Sequence, residues 1–463
     1  MNPTIAQQLR EDPALQQCMQ QMLNALAAHQ ERITGIRQAD PERRQSYAQA
    51  LQRFQDQRGG ALIYPYIGSG IGKGALVELE DGSVKYDFIC GIGVYQFGHN
   101  HPDLVRAALY GALQDTLIQG NVQQNVNSLE LTDLMLAMAN QDQPVFDHCF
   151  LSSSGVMAGE NALKITFQKK FPANRIFAFK RCFAGRTLAF SQINDKAVGR
   201  AGLPDAFPVD HLPYYDPADP EGSTTATLKA MQTLIEAYPG KHAALMIELV
   251  QGEGGFYPGD REFFRRVMEL CRQHGIAVLV DEIQTFARLS RPFAFQYYGL
   301  HDLVDVVWIG KASQVCATLF KKEFAPKPGL LGQTYTAAAS CIEGSIQILK
   351  SLRDGGYFGD EGKIERLSNY IQKRLADFAA ETGLIEGPFG IGSMICFTPL
   401  GGDQAKVNAF TQTLFERGVI SLTAGSHPTK CRFLLPYPVI DTAEIDAVLE
   451  IVFATLQELQ RET

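Results

Sequence analysis

Through the middle of the chain, short unbroken apolar runs alternate with amphipathic stretches. IAVLV at 276–280 stops at Asp281-Glu282, and DVVWI at 305–309 stops at Gly310-Lys311. Runs of this length, rich in β-branched residues and bounded by polar ones, read as strands buried on both faces. FDHCFLS, RIFAFK and AALMIELV have the same form, and the segments between them, such as GENALKITFQKK and REFFRRVMELCRQHG, carry helical spacing. Strands alternating with helices predict βαβ units and a mostly parallel sheet. On either side the pattern changes. Residues 1–58, rich in Gln, Arg, Ala and Leu, predict a helical N-terminal arm with a helix start at Asp40-Pro41-Glu42. LVELEDGSVKYDFI predicts a hairpin around Asp81-Gly82 in a β-containing part at 59–100. The large α/β domain is expected over 101–352, helical from His101-Pro102 to about Ala139 and closing with a helix near 337–352. Two long helical patterns and the short strands MICFTP and CRFLLP then predict an α+β C-terminal domain at 353–463.

The ends of the two central runs carry candidate chemistry. Ligands of open α/β sheets sit beyond the carboxyl ends of the strands, so Asp281 and Lys311 are expected to face one crevice. A partly desolvated lysine favours its neutral, nucleophilic form and suits Schiff-base formation. Asp281 needs a cationic partner to stay ionised, and the pyridinium of pyridoxal 5'-phosphate (PLP) is one, on a molecule that also carries an aldehyde. The same residues fit plainer readings, a Walker B strand end or a solvated lysine. Ser152-Ser153-Ser154-Gly155-Val156 stands between a strand and a helix expected to begin near Met157, where free amides bind phosphate, or where a serine simply caps the helix. Phe183, after RIFAFK, is placed to stack on a flat ring or to fill the core, and Arg186 to bind a carboxylate or lie at the surface.

Composition narrows the classes. A net charge of −8 with no basic block argues against nucleic acid and anionic membranes. Nine scattered cysteines, without Cys-x-x-Cys or clustered histidines, fit reduced thiols in a cytoplasmic protein and no metal site. No secretory signal and no membrane-length apolar run is expected. The GSGIGKG segment at 68–74 lacks the spacing and the hydroxyl of a P-loop and precedes a hairpin, which removes an ATPase.

Taken in order, FLSSSG–AGENALK, CFAGRT, ELVQGEGGFYPGD, LVDEIQTFAR, FAFQYYG and WIGKAS resemble the class III (ornithine/acetylornithine/GABA-type) aminotransferases, and YDFICGIGVYQFGHNHPDLV is similar to that family's N-terminal signature. The resemblance extends over residues 60–450. It implies the PLP-dependent transferase fold type I, with a seven-stranded sheet in the large domain and a smaller α+β domain. It also implies roles. Lys311 would hold PLP as a Schiff base and shuttle the proton, Asp281 would pair with the ring nitrogen and Gln284 with the ring hydroxyl. Phe183 would stack on the ring, Ser154, Gly155 and Val156 would bind the phosphate, and Thr334 would reach the phosphate in a neighbouring subunit of a homodimer or tetramer. On the substrate side, Arg432 would bind a carboxylate, Glu253 would cover Arg432 when an amine-terminated substrate enters, and Arg186 would take a second carboxylate. Tyr64 and Ile92 would line the donor wall, and isoleucine at 92 is the acetylornithine and GABA form of that position. The implied reaction moves a terminal amino group from an amino acid or diamine-type donor to 2-oxoglutarate in a ping-pong cycle. A decarboxylase or aminomutase on the same scaffold and a catalytically impaired homologue remain open.

The chain departs from the family pattern at Val156, where a hydroxyl is usual, and at Ala184, where a histidine is usual. Phe286 replaces a glycine, Ala338-Ala339 an Asn-Pro, and Ala312-Ser313-Gln314-Val315-Cys316 a glycine-rich run. These changes are expected to reshape the substrate mouth and weaken the hold on phosphate.

Overall fold

The computed structural model describes residues 2–62 and 65–461. Its centre is a seven-stranded sheet, labelled in chain order β1 (His148–Ser152), β2 (Arg175–Phe179), β3 (Val209–Leu212), β4 (His242–Ile247), β5 (Ala277–Asp281), β6 (Val306–Ile309) and β7 (Cys316–Phe320). The spatial order is β1-β7-β6-β5-β4-β2-β3, and β7 alone runs antiparallel to its neighbours. Every residue of β4 to β7 is buried, which explains their unbroken apolar sequences.

Helices cover both faces for legible reasons. The helix Arg261–Gln273 is capped by Asp260 and buries Phe263, Phe264, Val267, Met268 and Cys271 on one side, leaving its arginines and glutamates to water. Gly155–Lys170 starts at the Ser154 cap, two residues before the expected point, and turns Ala158, Ala162, Ile165 and Thr166 toward the sheet. Thr318 in β7 donates to the Ala158 carbonyl at 2.7 Å, which locks this helix across the strand.

Two strands of the sheet lay outside the expected set. β3, VDHL, is an edge strand with half-buried polar residues, and β7, CATLF, carries an alanine and a threonine, so neither shows the β-branched run of its neighbours. The helical stretch expected from His101 to Ala139 is two helices, Pro102–Ala112 and Val126–Ala139, separated by Leu117–Gln119, which pairs with Tyr335–Ala338. The expected hairpin forms between Leu76–Leu79 and Val84–Asp87, and Val84–Asp87 also pairs in parallel with Val419–Ile420. Through that pairing, the segments before and after the large sheet share one four-stranded sheet. A second sheet, Ile385–Ile391, Met394–Pro399, Lys430–Leu434 and Leu422–Ala424 in that order, carries Arg432 toward the large domain. At the start of the chain, helix Ile5–Glu11 is fastened by Arg10 to the buried Glu343 at 2.8 Å, and Glu343 also accepts from Gln114 and Asn127.

Among the described residues all nine cysteines are unpaired, no helix is long and apolar enough to cross a membrane, and no acidic, histidine or cysteine cluster could hold a metal.

Candidate active site

β5 ends at Asp281, while β6 gives way at Gly310 to a short turn, Lys311–Ser313. A Cβ on Gly310 would lie 2.8 Å from Cys316 Sγ and 2.9 Å from Ile283 Cδ1, so a larger residue here would push both side chains aside. Lys311 itself adopts a left-handed backbone, φ 49°. Its Nζ donates to Gln284 Oε1 at 2.5 Å. Burial, reinforced by the nearby Arg432, brings the lysine down to about 8, so that about a tenth of it is neutral at pH 7, far more than for a free lysine. The segment after it has lost the glycine run but is not loose. Ser313 Oγ donates to the Val315 carbonyl at 2.8 Å and Ser345 Oγ to the Ser313 carbonyl at 2.7 Å.

Asp281 is buried and accepts the Ile283 amide at 2.9 Å. Burial first, and Glu248 next, drive its carboxyl well above the usual carboxylate range, so only a cation in direct contact can hold it charged. The Gln284 amide nitrogen is buried without a protein partner. A buried carboxylate needing a cation, an amide donor left over and a lysine of lowered basicity are what a protonated pyridine ring with a hydroxyl and an aldehyde would satisfy.

The anion end follows from the helix Gly155–Lys170, whose free N-terminal amides lie beside the Ser154 cap. Ser154 Oγ itself accepts from the Met157 amide at 3.4 Å. A Cβ on Gly155 would meet Ile283 Cδ1 at 2.6 Å, which places this helix start against the Asp281–Gln284 loop. Val156 packs on Gly185, where a Cβ would lie 2.5 Å from Val156 Cγ2, so its branched side chain fills a contact rather than offering a hydroxyl. Phe183 is half-buried beside this region, with its amide donating to Glu248 Oε1 at 3.0 Å. Arg186 is exposed, its guanidinium 5.5 Å from the Phe183 ring centre.

Beyond Lys311 lies an ion pair between the turn after β4 and the sheet that carries Arg432. Arg432 Nη2 lies 2.7 Å from Glu253 Oε1, with the arginine side chain 2% exposed and the glutamate 39%. Burial favours the neutral acid at Glu253, but the charge and hydrogen bond of Arg432 outweigh it and hold the carboxyl below its ordinary value. Arg432 Nε has no partner, its Nη1 reaches the Gly252 carbonyl at 3.4 Å, and its guanidinium sits 5.6 Å from the Phe256 ring centre. Ile92 lies in a turn with three neighbours also at positive φ, Cys90 (52°), Gly91 (58°) and Gly93 (93°), while it stands at 60° itself. For a β-branched residue this conformation costs on the order of 1–3 kcal/mol, a strain of the kind that concentrates at binding sites.

Of the residues singled out in the sequence, Lys311 bonds to Gln284 and lies within electrostatic reach of Asp281, Glu253 and Arg432, while Gly155 packs on Ile283 and Phe183 bonds to Glu248. Thr334 is exposed just before Tyr335–Ala338 and has no hydrogen bond to that group. Tyr64 lies outside the described residues. Two residues escaped the sequence reading. Glu248, five residues before Glu253 in ELVQGEGG, accepts two amides, and its carboxyl is pushed up to about 7, by burial first. Arg288, at the end of DEIQTFAR, is fully buried, donates to the Gly93 carbonyl at 2.6 Å and to Gln96 Oε1, and leaves Nε unpaired. Both sit inside quoted motifs, yet nothing in their spacing separates a structural acid or arginine from a functional one.

A sheet of this topology, with a desolvated lysine and a buried aspartate at adjacent strand ends and a helix N-terminus beside them, defines an enzyme of PLP Schiff-base chemistry. The family model for aminotransferase class III matches residues 66–456, and the chain belongs to that family of PLP-dependent aminotransferases, which act on an amino donor and a keto acid. It is 28% identical over 414 residues to the acetylornithine aminotransferase of Methanocaldococcus jannaschii, covering 84% of this chain and 93% of that one. It is 30% identical over 419 residues to the 2-aminoadipate transaminase of Pseudomonas putida, covering 86% and 97%. Among solved structures, the lysine aminotransferase of M. tuberculosis in its internal aldimine form superposes with a TM-score of 0.77 at 23% identity, over 88% of this chain and 99% of that one.

Proposed function

We infer that this aminotransferase moves a terminal amino group from an ω-amino acid or diamine-type donor to 2-oxoglutarate in two half-reactions. The observation that carries the reading is the Glu253–Arg432 pair. A buried arginine that stays paired when an amine-terminated donor enters, and is uncovered when a dicarboxylate enters, lets one site take both substrates. The relative named for acetylornithine fits a donor with an amino group and a carboxylate at separate ends, whereas 2-aminoadipate carries its amino group beside a carboxylate.

When bound, PLP supplies an electron-withdrawing ring that stabilises charge at the carbon bearing nitrogen. The protein's residues do the rest. Lys311 would hold the aldehyde carbon and, once free, would take and return the proton at the substrate carbon. Asp281 would keep the ring nitrogen protonated, Gln284 would hold the ring hydroxyl, and Phe183 would stack on the ring. Ser154, Gly155 and Val156 would receive the phosphate, Arg432 and Arg186 would orient the two carboxylates of the acceptor, and Ile92 would face the donor.

Thr334 fits a phosphate contact made in a second copy of the chain. Leu117, Val122, Val126, Leu129 and Tyr335 are exposed around the strand pair that follows it, an apolar face suited to a homodimer. Sedimentation of the purified protein at twice the mass of one chain checks this, and a monomer at micromolar concentration would remove it.

The experiment that tests the reaction is a titration of the coloured protein with single amines. Loss of the visible band with an ω-amino compound, its return with 2-oxoglutarate, and stoichiometric glutamate support the reading. Release of carbon dioxide, or of an isomer of the donor without glutamate, would assign the scaffold to a decarboxylase or aminomutase instead.

A further inference from the structure

The turn Gly252–Gly255 and the loop bearing Phe183 come from distant parts of the chain, and one side chain joins them. Glu248 follows β4 directly. Its Oε1 accepts the Phe183 amide at 3.0 Å across 65 residues, and its Oε2 accepts the Gly252 amide at 3.0 Å. The Tyr214 hydroxyl donates to the Glu248 carbonyl at 3.1 Å, so the backbone beneath is held as well. An ionised carboxylate suits this place because both its oxygens accept. Glutamine offers one oxygen and would set an NH2 against the second N–H, while aspartate is a methylene too short to reach both amides.

We propose that Glu248 is a positioning residue for amino transfer, a single carboxylate that registers the ring shelf at Phe183 with the turn carrying Glu253. The inference rests on the reading of the site as an aminotransferase that accepts 2-oxoglutarate. The rest of the turn is pinned in the same sense. Lys430 Nζ donates to the Gly255 carbonyl at 3.1 Å and the Gly425 amide to the Glu253 carbonyl at 3.0 Å, while the anchored Gly252 touches Arg432. With its backbone held at both ends, the Glu253 side chain is the part free to swing away from Arg432.

The test uses E248Q and E248D as PLP-loaded proteins. Cofactor release after dilution is followed by the return of fluorescence of Trp308, the chain's single tryptophan, three residues before Lys311. In parallel, KM is measured for 2-oxoglutarate and for the amine donor. One buried amide left unpaired corresponds to about a tenfold effect. E248Q is therefore expected to release PLP about tenfold faster and to raise the KM for 2-oxoglutarate about tenfold, with kcat at saturation changed by less than about threefold and E248D following the same pattern. Release at the parent rate with unchanged KM values overturns the proposal. So does a fall in kcat with both KM values unmoved, or failure of both variants to fold, each of which marks a purely structural acid. If the parent protein makes no glutamate, the acceptor assignment is wrong, but the release rates still read the bond to Phe183.

Discussion

Replacing Glu253 by glutamine keeps the length and an oxygen for Arg432 Nη2 but removes the charge. Two unit charges about 4 Å apart at an effective dielectric constant of about 20 attract by about 4 kcal/mol. Arg432 is shielded, but the glutamate is 39% exposed, and solvent screening reduces the value to about 1–3 kcal/mol. That energy acts with opposite signs in the two half-reactions. A dicarboxylate entering the parent site must break the pair, so E253Q is expected to bind 2-oxoglutarate about five- to hundredfold more tightly. An amine-terminated donor meets a bare buried cation in the variant, so its KM is expected to rise by a similar factor. The assay follows each half-reaction separately, by bleaching with the donor and by recovery with 2-oxoglutarate, in a buffer free of carboxylates. If both KM values move in the same direction, Glu253 is not a cover for Arg432 and the dual-substrate argument fails.

Other consequences follow from the same geometry. Because the neutral amine of Lys311 is the reactive form and its protonation lies near 8, the rate at which cofactor-free protein captures PLP should rise with pH about a midpoint near 8, and a midpoint near that of free lysine would contradict the burial argument. Glu248 and Glu282 are pushed up to about 7 by burial, and Asp281 is also raised, so the folded chain holds protons that the unfolded chain has released above about pH 4.5. The stability these groups contribute is present at low pH and is lost as pH rises through their folded values. Glu282→Gln, which removes one of these titrations, should therefore raise the melting temperature of the cofactor-free protein more at about pH 7.5 than at about pH 5.5, and the reverse order would refute the assignment. Val156→Thr keeps the volume packed on Gly185 and restores a hydroxyl beside the helix N-terminus, so PLP release should slow by about two- to tenfold; an unchanged rate would show that the hydroxyl does not face the phosphate.

Much of the centre was legible because burial on both faces of a parallel sheet writes itself as unbroken apolar runs. IAVLV and DVVWI appeared as β5 and β6, and their polar ends at Asp281 and Lys311 lie close enough for their charges to interact. β3 and β7 were not legible, because an edge strand with polar positions and a short strand with small residues carry no such run. The left-handed turn under Ile92 left no trace in residue order either, since only two of its four members are glycine.

Local chemistry was thus determined by the sequence alone: which residues end the strands and which motifs make this an aminotransferase. Partnership was decided only in three dimensions. Arg432 finds Glu253 across 179 residues, Glu248 spans two loops, and Lys311 loses its ordinary basicity because other segments exclude water from it. The physical reason is that periodicity reports the burial of an element against its immediate layer, whereas charge pairing and desolvation depend on which distant segments close over the same point.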